Sequence, residues 1–483
     1  MAGRSVFGVA VAAALVAAVA ACSGPAASDG AWLSVARQAP GTAALNSLTD
    51  YSDLDVFPQI SSVSCASPGN CTAVGKYLSD AGAAMFVISE HSGIWEKARP
   101  LPGGPTVDPY GGDWGQPGLV SCSAPGGCLV AAGDAAPMLA SQSAGTWFPA
   151  HQVSGGGLDY QNAFVSAVSC APGAGYCAGA GSVVRAANGW ANGTAFVVSG
   201  HAGTWEPVHV IPGAGQLNAL SCPGPGDCLA GGTGARPFIA TEANGRWGTA
   251  KPVPGLAALA AGHEPRVTQI MCSRYGYECP PGVESVSCPA PGACSIAGGF
   301  TDRLGRLQVF VASERSGTWS RAIAVPGLAS LDQGGRAGVT ALSCAMPGNC
   351  AAGGWYQAGR SLRQQAWLAI QASGRWGTAR EVPDLAALSA GGSAVVNAVS
   401  CGRTGECVAG GYFARLAGRP VGFVVREHHG VWGTAHPVPG LAALDKGHRS
   451  QVSSISCVPG WCAAVGTYAA ANGTDQFFVL NLR

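Results

Sequence analysis

Charge is scarce in this chain. Asp, Glu, Lys and Arg make up 11% of 483 residues, the formal net charge is +1, and neither sign forms a long run. The electrostatic footprint of a nucleic-acid binder is therefore missing, and that class is set aside. Aromatics are only 7%, and the helix formers Glu and Lys are thin. No nucleophile-elbow, zinc-binding or phosphate-loop motif occurs, and the nine His are scattered, so no local signature marks an enzyme. Abundant instead are Gly (73) and Pro (32), with short Val/Ile/Phe runs between turn residues, the pattern of an all-β protein.

The chain opens with one Arg, an apolar run from Val6 to Ala21, and then Cys22. This predicts an export signal over residues 1–21, too short for a comfortable membrane span. Val19-Ala20-Ala21-Cys22 resembles a bacterial lipobox, in which the Cys thiol is acylated and becomes the mature N-terminus. Residues 22–29 then read as lipidated Cys and flexible tether, and 30–483 as the folded domain. A plain cleaved signal or an uncleaved anchor is the other reading.

The 19 cysteines are an odd number, which lipid on Cys22 resolves. Sixteen of the rest form eight local pairs: Cys65/Cys71, Cys122/Cys128, Cys170/Cys177, Cys222/Cys228, Cys288/Cys294, Cys344/Cys350, Cys401/Cys407 and Cys457/Cys462. Cys272 and Cys279 make a ninth. A metal ribbon wants two-residue Cys spacing or interleaved His, and neither is present, so disulfides are expected.

Each local pair belongs to one copy of a repeat of about 55 residues. A strand ends in Ser-Cys, a Pro/Gly turn follows, Cys opens a second strand, and a polar loop leads to a third. A Gly-x-Trp turn then leads to a fourth strand closing at Val-Pro. Four antiparallel strands per copy match a β-propeller blade. The Trp markers are Trp95, Trp147, Trp205, Trp247, Trp319, Trp376 and Trp432, seven against eight cysteine pairs. The final copy stops after its third strand, whereas the mature N-terminus opens with an isolated fourth strand that has Trp32 in the marker position. We therefore expect eight four-stranded blades, the N-terminal strand closing the last, with seven blades as the alternative. Trp32 to Pro40 is one residue longer than Trp319 to Pro326, which predicts a bulge there.

A Trp recurring in every copy is most simply a packing residue between sheets. The Ser before each first Cys (Ser64, Ser121, Ser169, Ser221, Ser287, Ser343, Ser400, Ser456) recurs too often for a nucleophile and is expected to satisfy local backbone groups.

The pattern of Ser-Cys, Pro-Gly-x-Cys, Gly-Thr-Trp and Val-Pro-Gly-Leu-Ala-Ala-Leu resembles repeats of secreted and lipid-anchored actinobacterial propeller-like proteins. That resemblance implies a surface protein without implying an activity. "SERSGTW" and "SEHSGIW" are similar to the Asp-box turn of sialidase-type propellers, but lack its Asp and are one residue shorter between Gly and Trp.

In a propeller the first-to-second and third-to-fourth turns share one face. Here that face holds the uniform Cys hairpins, the Gly-x-Trp turns and His428–His429. Variable loops gather on the other. There the early blades bring Asp50, Asp53 and Asp55, then Asp108, Tyr110, Asp113 and Trp114, then Asp159 and Tyr160. The Cys272–Cys279 loop adds Arg274, Tyr275 and Tyr277, and later blades bring Arg303, Arg306, Arg360, Arg363, Arg415 and Arg419. The candidate ligand-binding set is Asp108, Tyr110, Asp113, Trp114, Tyr160, Tyr275, Arg303, Arg360 and Arg415. Asp50, Asp53 and Asp55 are the candidate calcium ligands, and no other cofactor is expected. These features predict a lipid-anchored extracytoplasmic module that binds a cell-wall glycan or an envelope protein. The alternative is a propeller glycoside hydrolase or polysaccharide lyase, because a ring can gather carboxylates distant in sequence.

Overall fold

The computed structural model describes residues 32–47, 57–80, 82–104, 106–107, 118–132, 137–156, 163–183, 193–201, 203–260, 282–359, 363–416 and 418–483. Its Val-, Ala- and Gly-rich runs form eight antiparallel sheets around one axis, an eight-bladed β-propeller. In blade 1 strand A is Gln59–Ser67, B is Asn70–Ser79 and C is Gly82–His91. Strand D is broken into Ile94–Trp95 and Arg99–Pro100. The A strands of blades 2 to 8 are Leu119–Ala124, Ala163–Cys170, Gln216–Gly224, Val283–Ala290, Ala337–Met346, Ser393–Arg403 and Ser450–Val458. They neighbour one another around the axis, the last against the first.

Blade 8 is closed by the N-terminal strand Arg37–Gln38, which pairs antiparallel with Asp475–Leu482 through Arg37–Val479 and Gln38–Phe478. The expected marker residue is corrected. Leu33, not Trp32, sits opposite Leu482, and the Trp32 carbonyl accepts the Arg483 N–H. Counted from Leu33 the spacing to Pro40 equals that from Trp319 to Pro326, so the sequence offers no extra residue for a bulge to absorb.

Eight hydrophobic clusters fill the eight seams between blades, and all seven Trp markers pack in them. Strand C supplies the bulk, as Phe86, Phe196, Phe310, Trp367, Phe423 and Phe478, each fully buried. Each faces a strand B glycine across the pair: Gly75, Gly181, Gly298, Gly354, Gly411 and Gly466. A Cβ on Gly75 would stand 2.5 Å from both the Phe86 ring and the Gln59 carbonyl, so the ring lies where only glycine leaves room.

The constant spacing within the repeat has a second cause, hydrogen bonding between blades. The Ser before each first Cys was expected to bond locally; instead its Oγ accepts the Cys N–H of the next blade, 49 to 67 residues further on. Ser456 of blade 8 closes the circle onto Cys65 of blade 1 at 2.9 Å. The innermost strand pairs with its own sheet on one edge, and its other edge faces the next blade, where the Oγ meets its donor. An outer ring matches it: the Ala three residues after the marker donates to the Pro carbonyl of the preceding blade, as in Ala98 to Pro40, Ala322 to Pro254 and Ala379 to Pro326. Ala36 bonds Pro439 in the same way, which fixes Leu33 as the marker equivalent.

Strand A carries a bulge four residues before the Cys in seven sheets. The bulged side chains Ser61, Ser166, Asn218, Thr340 and Asn397 donate to a carbonyl of the following blade. Blade 5 places Glu284 there. Burial pushes its carboxyl up to about 7.

All eight local cysteine pairs are disulfides across the A–B hairpins. They join Cys65 to Cys71, Cys122 to Cys128, Cys170 to Cys177 and Cys222 to Cys228 in blades 1 to 4. In blades 5 to 8 they join Cys288 to Cys294, Cys344 to Cys350, Cys401 to Cys407 and Cys457 to Cys462. One point corrects the picture of staples confined to a turn face: the strand B sulfurs sit inside the seams. Cys71, Cys128, Cys228, Cys294, Cys350 and Cys407 are buried in the hydrophobic clusters, while Cys177 and Cys462 pack half-buried against them. The cause is the alternation of strand B, which points the cysteine to the same side as the alanines and valines that fill the seam. These cysteines therefore serve as core as well as cross-link. Closing loops this short stabilises by about 2 kcal/mol each on chain-entropy reasoning. Eight such bonds point to an oxidising compartment. Cys22, Cys272 and Cys279 lie outside the described residues. Among the described residues no helix is long and apolar enough to cross a membrane.

Candidate functional site

The two faces differ as the turn pattern predicts. On one, the Cys hairpin is tied to the C–D turn of its own blade in six blades, for example Gly93 N–H to Gly69 O and Gly374 N–H to Gly348 O. The His428 and His429 rings lie on this face with centroids 4.0 Å apart, tilted by 57°. The glutamates opposite three of the markers are buried here and raised by desolvation: Glu90, Glu242 and Glu427. Each has a structural partner. Asn481 donates to Glu90, the Tyr176 hydroxyl to Glu242 at 2.9 Å, and the Cys407 N–H to Glu427 at 3.1 Å.

The opposite face carries the B–C turns and the segments between blades. Among the described residues five of these segments hold a short helix, at Thr42–Leu45, Leu256–Leu259, Leu328–Leu331, Leu385–Ser389 and Leu441–Leu444. In four of them the preceding residue is a glycine at φ 75 to 80°; in the fifth it is Asp384, at φ 60°. Sequence reasoning missed the buried polar residue that ends three of them. Asn46 Oδ1 accepts the Leu78 N–H at 2.8 Å. Asp332 Oδ1 accepts the Arg336 and Gln357 N–H groups at 2.9 and 3.3 Å, and Asp445 Oδ1 those of Arg449 and Ala469 at 2.8 and 3.3 Å. Each clips a connecting segment to strand B of the next blade and so steadies the rim. Burial raises the Asp332 carboxyl, opposed by its hydrogen bonds from Arg336, Gln308 and Gln357. The signal was a polar residue closing each "LAAL"-type run.

On this rim two arginines have acidic partners. Arg306 pairs with Asp302 at 2.7 Å and Arg449 with Asp475 at 2.6 Å. Burial alone would raise Asp302, but Arg306 holds its carboxyl below the usual range. Arg363 and Arg419 donate to the Gly391 and Gly447 carbonyls. Arg303 and Arg415 stand exposed at the B–C tips of blades 5 and 7, and among the described residues neither has an acidic partner. Arg415 Nε reaches only the Leu388 carbonyl, at 3.4 Å. Beside them Leu304 and Leu416 are 75% and 58% exposed. The tip of blade 1 offers Asp80, also exposed. Asp108, Tyr110, Asp113, Trp114, Tyr160, Tyr275 and Arg360 lie outside the described residues, as do Asp50, Asp53 and Asp55. Among the described residues no cluster of His, Cys, Asp and Glu could hold a metal ion.

No family model matches the chain, and no curated protein matches it. Solved propellers do. Sqt1 of Chaetomium thermophilum is 11% identical over 88% of this chain and 95% of its own, with a TM-score of 0.46. The RRP9 WD40 repeats are 10% identical over 75% and 93%, at 0.43. The GH74 xyloglucanase of Xanthomonas campestris is 16% identical over 87% of this chain and 54% of its own, at 0.43. At these identities and scores the likenesses carry no functional inference.

Proposed function

We propose that this protein is an extracytoplasmic, lipid-anchored binding module that captures an anionic cell-envelope glycan on the rim formed by the B–C tips of blades 5 to 7. The observation that carries this reading is the contrast within the arginines: Arg306 and Arg449 are neutralised by neighbours, whereas Arg303 and Arg415 project without an acidic partner among the described residues. Exposed guanidinium groups of this kind form bidentate bonds to carboxylate and phosphate oxygens. Arg360, between them in sequence, extends the set to blade 6.

The path of the chain supports the orientation. Trp32 meets Arg483 at the hairpin-face end of blade 8, and residues 22–31 span at most about 33–36 Å when extended. A lipid on Cys22 then turns the hairpin face toward the membrane and the cationic rim outward.

The test uses the soluble chain from residue 30 onward, polygalacturonate as the anionic probe and dextran as the neutral control. Retention on polygalacturonate should fall as salt rises. Arg303→Ala, Arg360→Ala and Arg415→Ala combined should weaken it about tenfold or more, as loss of three partly exposed ion pairs implies. Equal retention by the triple variant refutes the reading, and release of new reducing ends moves it to the hydrolase or lyase class.

A further inference from the structure

Seven D strands place a marker Trp directly opposite one strand C residue. That residue is Glu or Gln in six of them: Glu90, Gln142, Glu242, Glu314, Gln371 and Glu427. In blade 3 it is Gly200. The longer side chain matters at three seams, where it bonds the preceding blade: Glu90 with Asn481 of blade 8, Glu242 with Tyr176 of blade 3, and Gln371 with Ser313 of blade 5. A glycine can make no such bridge at the seam between blades 2 and 3. A cleft of ≈ 220 Å³ opens there, lined by Ser123, Ser141, Gln142 and Ser143 of blade 2 and by Gly200 and Trp205 of blade 3. The blade 3 Cys hairpin is one residue longer than most, and its Gly175 adds to the opening.

The lining defines the occupant. Among the described residues no charged side chain faces the cleft, which disfavours an ion, since nothing there would balance its charge. Ser141 and Ser143 offer both donors and acceptors, and Ser123 Oγ, which donates to the Gly127 carbonyl at 3.2 Å, remains an acceptor. Gln142 is 5% exposed; its Nε2 donates to the Gly145 carbonyl at 3.2 Å, and its buried Oε1 has no partner among the described residues. A buried acceptor without a partner favours a ligand donor beside it. The Trp205 indole forms an apolar wall, over which Gly200 leaves no room for a side chain: a Cβ would lie 2.7 Å from the ring. By liquid volume the cleft holds about seven waters, the scale of one sugar ring and not of a chain.

We infer that the blade 2–blade 3 seam is a binding site for a single neutral pyranose, whose hydroxyls replace the missing interblade bridge while its C–H face lies on Trp205. This site is on the hairpin face and does not depend on the cationic rim.

The experiment titrates the soluble chain with the methyl glycosides of glucose, galactose, mannose and N-acetylglucosamine, read by tryptophan fluorescence and saturation-transfer NMR. At least one should bind saturably, with no dependence on salt. Gly200→Gln should abolish binding by filling the cleft. Because a side chain at that position must displace Trp205, Gln142→Leu provides the second variant: it should weaken binding about tenfold while urea unfolding shows the fold intact. Polygalacturonate retention should be unchanged in Gln142→Leu. No saturable binding by any of the four glycosides, or equal binding by a folded Gln142→Leu chain, overturns the inference.

Discussion

Glu284 replaces a neutral donor in a ring of interblade hydrogen bonds, and the replacement makes a quantitative demand on stability. Its carboxyl is displaced from the usual 4.5 to about 7, with desolvation as the cause. The native state therefore binds an extra proton between these two values. Stability that is complete below pH 4.5 is lost as pH rises through 7, after which the loss levels off. At 1.36 kcal/mol per pH unit the displacement corresponds to about 3 kcal/mol, an upper limit that the partial exposure of the residue reduces to about 1–3 kcal/mol. Glu284→Gln removes the charge and restores a donor like Asn218 and Asn397. Urea unfolding at pH 5 and pH 8 is the assay. The variant should match the native chain at pH 5 and exceed it by about 1–3 kcal/mol at pH 8. Because Glu90, Glu242, Glu427 and Asp332 are raised in both proteins, the difference between the two curves isolates Glu284. Parallel curves from pH 5 to 8 would refute the reasoning.

Two further predictions bear on the rings and on export. Ser287→Ala leaves the Cys344 N–H without its 2.9 Å partner and should lower unfolding free energy by about 1–3 kcal/mol, whereas Ser287→Thr should retain most of it; equal midpoints for Ser287→Ala and the native chain would remove the inner ring from the account. Cys22→Ala in an expressing cell should move the protein from the membrane fraction to the medium, and continued membrane retention would contradict acylation at that residue.

Much of the architecture was legible because the repeat writes it eight times. Eight cysteine pairs counted the blades, and a fourth strand without its first three, at the N-terminus, implied closure. The pairing of Cys71, Cys228, Cys294, Cys350 and Cys462 with the cysteine just before each was legible from spacing alone, but their place in the seams was not, because the neighbouring blade supplies the cover. The finer register was not legible from the most conspicuous residue. Trp32 drew the alignment, yet Ala36 and Pro40 hold the contacts that set it, and they point to Leu33. The Ser preceding each Cys could not reveal its acceptor role within one repeat, because its partner belongs to the next. Asn46, Asp332 and Asp445 were obscured for the same reason: each closes a weakly patterned Leu-Ala run, and only packing against strand B of the neighbouring blade gives its side chain work. The arginine tips were legible as irregular loops between regular strands. Which of them are neutralised was not, since Asp302 and Asp475 reveal themselves only through geometry. The cleft at Gly200 required the same comparison across blades, with one glycine standing where six others are Glu or Gln.

Closure of the ring by the N-terminal strand underlies every assignment of loops to faces. Hydrogen exchange of the Ala36 and Ala39 amides tests it most directly, because the structure bonds them to the Pro439 and Phe477 carbonyls at 2.8 Å. Protection equal to that of Ala98 and Leu101, their respective counterparts in blade 1, is the predicted result. Exchange at the rate of an unstructured segment would contradict it.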